Sequence, residues 1–345
     1  MNTGDRTIEW LFREHLQVDS EWSVRTPKGF RWWADKNAQT VEVVGQETGP
    51  DGQMGYHISV RTELLQSLDL GDREIAILNA TPMQMASMSG PVYEAQTKIV
   101  SLASLVRVYD GISQWMNPII GLAAALQIDE ARTVAKVLTE TLGAKAALSG
   151  PPGRGMRPVP HKLAGISARS IAPAGKRPSQ WPPAEFQDTV DKYMNRPPSL
   201  LATCGGAGFT VEFPFGDQSS LCQVKAYEPH PLYGNGLFLL QSFPITINSD
   251  SEGAKLAFTM NHSELMEKPF GYGFGSYAYR DRMLHFTSFF PNAMYRPGLL
   301  PNLYFSCAMR AREMSLRLAN DDWSQATFSP KQSAIGQVLF HKTDK

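Results

Sequence analysis

The chain has 345 residues, with 33 Lys and Arg against 33 Asp and Glu, so its formal net charge is zero and a surface that binds polyanions along its whole length is not expected. Apolar residues make up 42% of the chain, enough for an ordinary core, and charged residues only 19%. Three cysteines (Cys204, Cys222, Cys307) do not make a disulfide framework, no apolar run approaches the ~20 residues of a membrane span, and Met1-Asn2-Thr3-Gly4-Asp5-Arg6 leads into an amphipathic segment rather than a signal-peptide core. A soluble, cytoplasmic protein is the expectation.

In chain order, the apolar spacing predicts a helix over Asp5–Gln17, then strands over Ser23–Trp33, Gln39–Val44 and Tyr56–Arg61. A helix near Gly71–Thr81 follows, then strands at Val92–Glu94 and Lys98–Val108 and a long helix over Asn117–Leu142. The composition changes sharply over 143–184. These 42 residues hold eight Pro, six Gly and seven Lys or Arg, with no Asp or Glu, which leaves the rest of the chain at −7. Such a stretch buries little and reads as a disordered or extended linker. It is either an arm for an acidic partner, or a tether or arm that lies on its own acidic domains, and scattered single charges favour the second. Beyond it, a helix is predicted over Phe186–Asn195 and strands over Gly208–Phe215, Leu221–Tyr227 and Gly236–Ser242. A helix at Gly253–His262, strands at Gly273–Tyr279 and Met283–Phe290, and a helix over Gly298–Asn320 complete the chain. Asp51-Gly52 and Asn235-Gly236 are turn pairs suited to hairpins, and Pro118 and Pro301 suit a first helical turn.

The two flanks of the linker repeat one another. Thr7–Phe12 matches Thr189–Met194 at a shift of 182, Gln39–Val44 matches Cys222–Tyr227 at 183, the Asp51-Gly52 and Asn235-Gly236 turns match at 184, and Pro118 matches Pro301 at 183. In the last helix Leu303, Cys307, Ala311, Met314 and Leu318 form an apolar stripe, and the positions 183 earlier, Ile120, Ala124, Ile128, Ala131 and Ala135, are apolar as well. The reading is an old duplication: two similar α+β domains of order α-βββ-α-ββ-α with antiparallel sheets, at 1–142 and 185–322, related by a pseudo-twofold axis. Residues 143–184 are the linker and 323–345 a C-terminal tail.

Within this order, Asn261-His262-Ser263-Glu264, the run Phe270-Gly271-Tyr272-Gly273-Phe274-Gly275-Ser276-Tyr277 and His285-Phe286-Thr287-Ser288-Phe289 look like the second helix and last hairpin of one fold family. The chain resembles the type III secretion chaperone-like superfamily, which includes the YbjN-type bacterial proteins. The first half departs from this stretch, with methionines between Asn79 and Gly90 in place of the aromatic-glycine run. The resemblance covers most of both halves, and implies a peptide- or protein-binding module, usually dimeric, without catalytic residues. Two copies in one chain would form an internal pseudo-dimer, so a monomer or weak homodimer is expected.

Chemistry-bearing patterns are sparse. The glycines at 271, 273 and 275 alternate with aromatics and read as curved strand rather than a phosphate loop. Cys204-Gly205-Gly206 carries no signature of a thiol nucleophile, and Cys307 reads as a small core residue. The seven histidines include no i, i+4 pair and no C-x-x-C occurs, so no metal site and no cofactor are expected. Neighbours on a strand face opposite ways, so one of Trp32 and Trp33 is expected in the core, and the other outward or against the second half. Exposed aromatic and methionine side chains would form a binding patch, for which Trp33, Met83, Met85, Met88, Tyr272 and Phe274 are the candidates. The expected function is a non-catalytic chaperone or adaptor for a client protein or peptide in a bacterium, secretion-linked in the family's manner, with strand addition at an open sheet edge as a second mode. The alternative is a small-ligand sensor or enzyme with its site between the halves, lined by His262, Glu264, Tyr277 and His285. A third reading, a nucleic-acid or membrane-surface adaptor acting through the linker, ranks below both.

Overall fold

Two of the helices begin where a side chain supplies a partner for an otherwise unpaired N–H group. In a computed structural model that describes residues 1–49, 52–166, 181–193, 202–204, 208–245, 247 and 249–319, α1 (Thr3–Trp10) starts at Asn2, whose Oδ1 accepts the Asp5 N–H at 2.9 Å. A π-helical turn, Leu11–His15, continues it. There follow β1 (Ser23–Thr26), β2 (Gly29–Trp33), β3 (Ala38–Thr48), β4 (Met54–Gln66), α2 (Asp72–Gln84), β5 (Gly90–Glu94), β6 (Ile99–Tyr109), α3 (Asp110–Leu142) and the two-residue β7 (Lys145–Ala146). The second half comprises α4 (Pro183–Tyr193), β8 (Ala202–Cys204), β9 (Gly208–Phe215), β10 (Gln218–His230), β11 (Gly234–Phe243), α5 (Asp250–His262), β12 (Ser276–Arg280), β13 (Met283–Pro291) and α6 (Leu299–Ala319). Ser249 caps α5 by accepting the Glu252 N–H at 3.2 Å, and α3 stops at Gly143, in the left-handed region.

The strands make two antiparallel sheets of the same order. One is β1-β2-β3-β4-β6-β5, with β7 added on β4, and the other is β8-β9-β10-β11-β13-β12. The protein is therefore α+β with two similar sheet-containing halves. Each half has four strands, not three, before its second helix. The expected strand Ser23–Trp33 is a hairpin: Pro27 and Lys28 turn the chain, and Thr26 pairs with Gly29. In the second half the extra strand is β8. Asn235-Gly236 does not form the second hairpin turn. The turn is residues 231–233, and Gly236 sits inside β11, where a Cβ would lie 2.4 Å from the Phe290 carbonyl oxygen. Pro118 is likewise not in a first turn, because α3 starts seven residues before the expected Asn117 and runs through it.

By packing, the described chain forms two units. Residues up to Asp69, those from Met88 onward in the first half, and Glu264–Pro269 make one; Leu70–Ser87 belongs with the other. Each unit thus takes in a short segment from outside its own contiguous range. In the first, Leu265 packs on Val92 and Ala103, and the Pro269 carbonyl accepts from Arg107 at 2.9 Å. In the second, Asp72 of α2 pairs with Lys255 at 2.8 Å, and the Ser87 carbonyl accepts the Phe289 N–H at 3.3 Å.

The predicted apolar stripes are core in both units. Ile120, Ala124, Ile128, Ala131 and Ala135 of α3 are buried, as are Leu303, Cys307, Ala311 and Met314 of α6; the side chain of Leu318 lies outside the described residues. A glutamine ties each of these helices to its sheet. Gln39 accepts from Trp32 Nε1 at 3.0 Å and donates to Thr62 Oγ1 and the Ala124 carbonyl, both at 2.9 Å; Thr62 in turn donates to Gln127 at 2.7 Å. In the second unit Gln241 donates to the Cys307 carbonyl at 2.9 Å and to Ser220 at 3.2 Å. A buried polar network is stabilising only when all its members are paired, and these bonds meet that demand while fixing where the helix sits along the strands.

Part of the predicted linker is packed chain. Residues 144–166 lie on the first unit. Ser149 N–H donates to the Lys36 carbonyl at 2.8 Å and His161 N–H to the Ala34 carbonyl at 2.6 Å. Arg157 is buried, pairs with Asp19 and donates to the Trp33 carbonyl at 3.1 Å, while Arg154 pairs with Glu21. These basic residues lie on the protein's own acidic side chains. Residues 167–180 of the predicted linker and the tail 323–345 lie outside the described residues.

Candidate functional site

An outer strand presents a row of backbone donors and acceptors, so its fate decides whether a sheet can accept another chain. The outer strand β12 is closed by two asparagines acting as peptide groups. Asn261 of α5 accepts the Tyr277 N–H at 2.7 Å and donates to the Tyr277 carbonyl at 3.1 Å. Asn79 of α2 does the same at Tyr279, at 2.7 and 3.0 Å. Residues 277 and 279 face the same way on the strand, so the two side chains together occupy the positions of a neighbouring strand. The outer strand β5 is buried, carries Pro91, which has no N–H, and is covered at Val92 by Leu265 and Met266.

β1 is different. Its four residues are half-buried or exposed, and Val24 keeps 39% of its surface. The hairpin closes on the Thr26–Gly29 pair, so the alternate residues Arg25 and Ser23, opposite Phe30 and Trp32, turn their N–H and carbonyl groups away from β2. Arg25 is held in place by Glu9 at 3.0 Å and by the Phe12 ring 3.5 Å beneath its guanidinium. The side chains of β8, the corresponding strand of the second sheet, lie outside the described residues.

The six candidate patch residues do not form one exposed surface. Trp33, Met88 and Phe274 are buried, and Met83, Met85 and Tyr272 are half-buried. Trp32 and Trp33 are both interior. Trp32 shares the face of its partner Gln39, which bonds to α3, and the His161 ring of the 144–166 segment packs edge-on against it, whereas Trp33, on the opposite face, donates from Nε1 to Ser149 Oγ at 2.9 Å. The alternation of faces holds, but both faces are covered there. Tyr272 donates its hydroxyl to Asn302 at 3.0 Å and its N–H to Ser306 at 2.7 Å.

The alternative pocket residues are also structural. Glu264 is buried and belongs to the first unit, whereas His262, Tyr277 and His285 belong to the second. His285 engages both ring nitrogens, with Ser242 at 2.9 Å and the Arg280 carbonyl at 3.2 Å, and burial holds its pKa below the usual histidine range. Tyr277 packs in the core with its hydroxyl on Met314 Sδ at 3.4 Å.

Two features had no signal in the sequence. On three neighbouring strands of the first unit, Glu47, His57 and Arg107 converge, with His57 directly opposite Arg107. Burial would raise the Glu47 carboxyl, but the Arg107 guanidinium beside it overcomes that and holds it low; burial in turn lowers His57. The cluster holds Arg107 against segment 264–269. In the second unit an open cleft of about 750 Å³ lies between α4 and residues 295–301, lined by Glu185, Asp188, Asp191 and Tyr295. Among the described residues no three His, Cys, Asp or Glu side chains gather to hold a metal ion, and no helix is long and apolar enough to cross a membrane. No protein-family model and no curated protein matches the chain in sequence.

Proposed function

We propose that this protein binds an extended segment of a client protein, performs no chemistry on it, and takes the segment up as an added strand along β1. The contrast between the outer strands carries the reading. β12 is closed by Asn79 and Asn261, and β5 is buried and carries Pro91, whereas β1 leaves the backbone groups of Ser23 and Arg25 facing outward. Main-chain pairing supplies affinity for many sequences, and the side chain of Val24 supplies an apolar contact on one face. Such a module suits a chaperone or adaptor of the secretion-linked kind in a bacterial cytoplasm, as a monomer or weak homodimer. We further read the two halves as copies of one domain, supported by their common strand order.

The test is to select binders from a displayed library of unstructured peptides and map one of them by hydrogen exchange. Protection concentrated at residues 23–26 is expected. Arg25→Pro, which removes one outward N–H, should weaken binding about tenfold, the worth of one backbone hydrogen bond. Arg25→Ala, which loses the side chain and keeps the N–H, should bind as well as the parent. Protection elsewhere, or equal effects of Pro and Ala, would overturn the proposal.

A further inference from the structure

Cys222 of β10 and Cys307 of α6 are both buried, neither is in a disulfide, and their side chains interact directly. The surrounding bonds agree with this placement. Cys222 is directly opposite Gln241 in the ladder, and Gln241 donates to the Cys307 carbonyl at 2.9 Å. The first unit has a counterpart of this place. Gln39 occupies the position of Cys222, paired with Thr62 where Cys222 is paired with Gln241, and it donates to the carbonyl of Ala124, the counterpart of Cys307. In the first unit the third strand of the sheet is thus tied to the last helix by an amide. In the second unit the same two positions carry thiols.

From this placement we infer that Cys222 and Cys307 are a redox pair, closing to a reversible disulfide that clamps α6 to β10 when a peroxide is the oxidant. One thiolate attacks a peroxide oxygen, giving a sulfenic acid and, with the thiol's own proton, one water. The second sulfur then displaces the hydroxyl as a second water and forms the S–S bond. Two thiols lose two hydrogens and one hydrogen peroxide is reduced to two waters. Reduction by a small dithiol reverses the step. The neighbouring Cys307 thiol, and after it burial, hold the Cys222 thiol well above its usual range, while the Arg310 charge works the other way. Oxidation of the folded protein is therefore slow. The bond closes a long loop containing β11, α5, β12 and β13, the case in which a cross-link most restricts the unfolded chain.

The experiment uses the full chain with Cys204→Ser, which leaves only this pair. Protein incubated with hydrogen peroxide is quenched, denatured, alkylated and mapped without reduction. The expected result is a peptide linking residues 222 and 307 with the loss of two hydrogens, its disappearance on treatment with dithiothreitol, and an unfolding temperature raised by on the order of 10 °C in the oxidised form. Cys307→Ala, which installs the residue the first unit already carries at this position, should abolish the link, and Cys222→Val should do the same should the first variant not fold. Two fully alkylated thiols after peroxide, or sulfinic acids without a link, would overturn the inference.

Discussion

Replacing Asn261 by Leu should be among the most damaging single changes in the second unit. Leucine has nearly the same volume, so little cavity results and the effect isolates the hydrogen bonds. The amide serves the Tyr277 N–H at 2.7 Å and its carbonyl at 3.1 Å, and accepts from Ser276 Oγ at 3.2 Å. Tyr277 and Asn261 are both buried, so water cannot replace the lost partner. A buried backbone group left unpaired costs about 1–3 kcal/mol, which puts Asn261→Leu at about 3–5 kcal/mol. Asn79 makes the equivalent pair of bonds to Tyr279 but is half-buried, so solvent reaches the freed groups and Asn79→Leu should cost about 1–2 kcal/mol. Urea unfolding gives both values, and hydrogen exchange at the amides of residues 277 and 279 shows whether the loss is local. A cost below about 1 kcal/mol for Asn261→Leu, or a larger one for Asn79→Leu, would refute the claim that these amides stand in for a strand.

Two further outcomes can be checked in the same way. His230 is neutral in the fold, donating from Nε2 to the Ala86 carbonyl at 2.9 Å and accepting at Nδ1 from the N–H groups of Leu232 and Tyr233 at 3.1 and 3.2 Å; burial pushes its pKa down to about 4. The unfolded chain binds this proton first, at a pKa of about 6.5, so the contribution is complete above about pH 6.5 and about 3 kcal/mol is lost as the pH falls towards 4. The unfolding midpoint should fall across that window and His230→Gln should flatten the fall; equal slopes would refute it. Arg157→Ala removes donors to the Trp33 and Val159 carbonyls and the partner of Asp19, at about 2–3 kcal/mol. Limited proteolysis should then cut faster within residues 150–160, and an unchanged cutting rate would show that Arg157 does not hold this segment.

What could be read in advance was what depends on local pattern. The stripe Leu303, Cys307, Ala311 and Met314 is buried as its helical spacing requires, and Gln39 and Cys222 occupy matching places in their ladders at the shift found in the sequence. The β4–β11 match was displaced. Thr62 corresponds to Gln241 and not to a residue 184 further on, because the first hairpin has both the longer connection and the longer strands between these pairs. Partner choice across long distances was not legible. An asparagine near the end of a helix reads as an ordinary turn former, and only the folded chain sets Asn79 beside Tyr279, 200 positions away. The same holds for residues 144–166. Their prolines and single basic residues suggest a tether, yet Asp19, Glu21 and the uncovered face of Trp33 provide a bed for them. The binding patch expected from Trp33, Met88 and Phe274 failed for a simple reason: large apolar side chains are more often core than surface.

The trading of short segments sets an order for synthesis. Val92 and Ala103 are made early, but Leu265, which covers them, leaves the ribosome more than 160 residues later. At roughly 5–20 residues per second, that is a wait on the order of ten seconds or more. During it the first sheet must persist with an uncovered apolar face, while α2 has no β12 to cap. A chain cut between the halves would make that state permanent in both pieces, and only mixing them would restore each unit's missing segment.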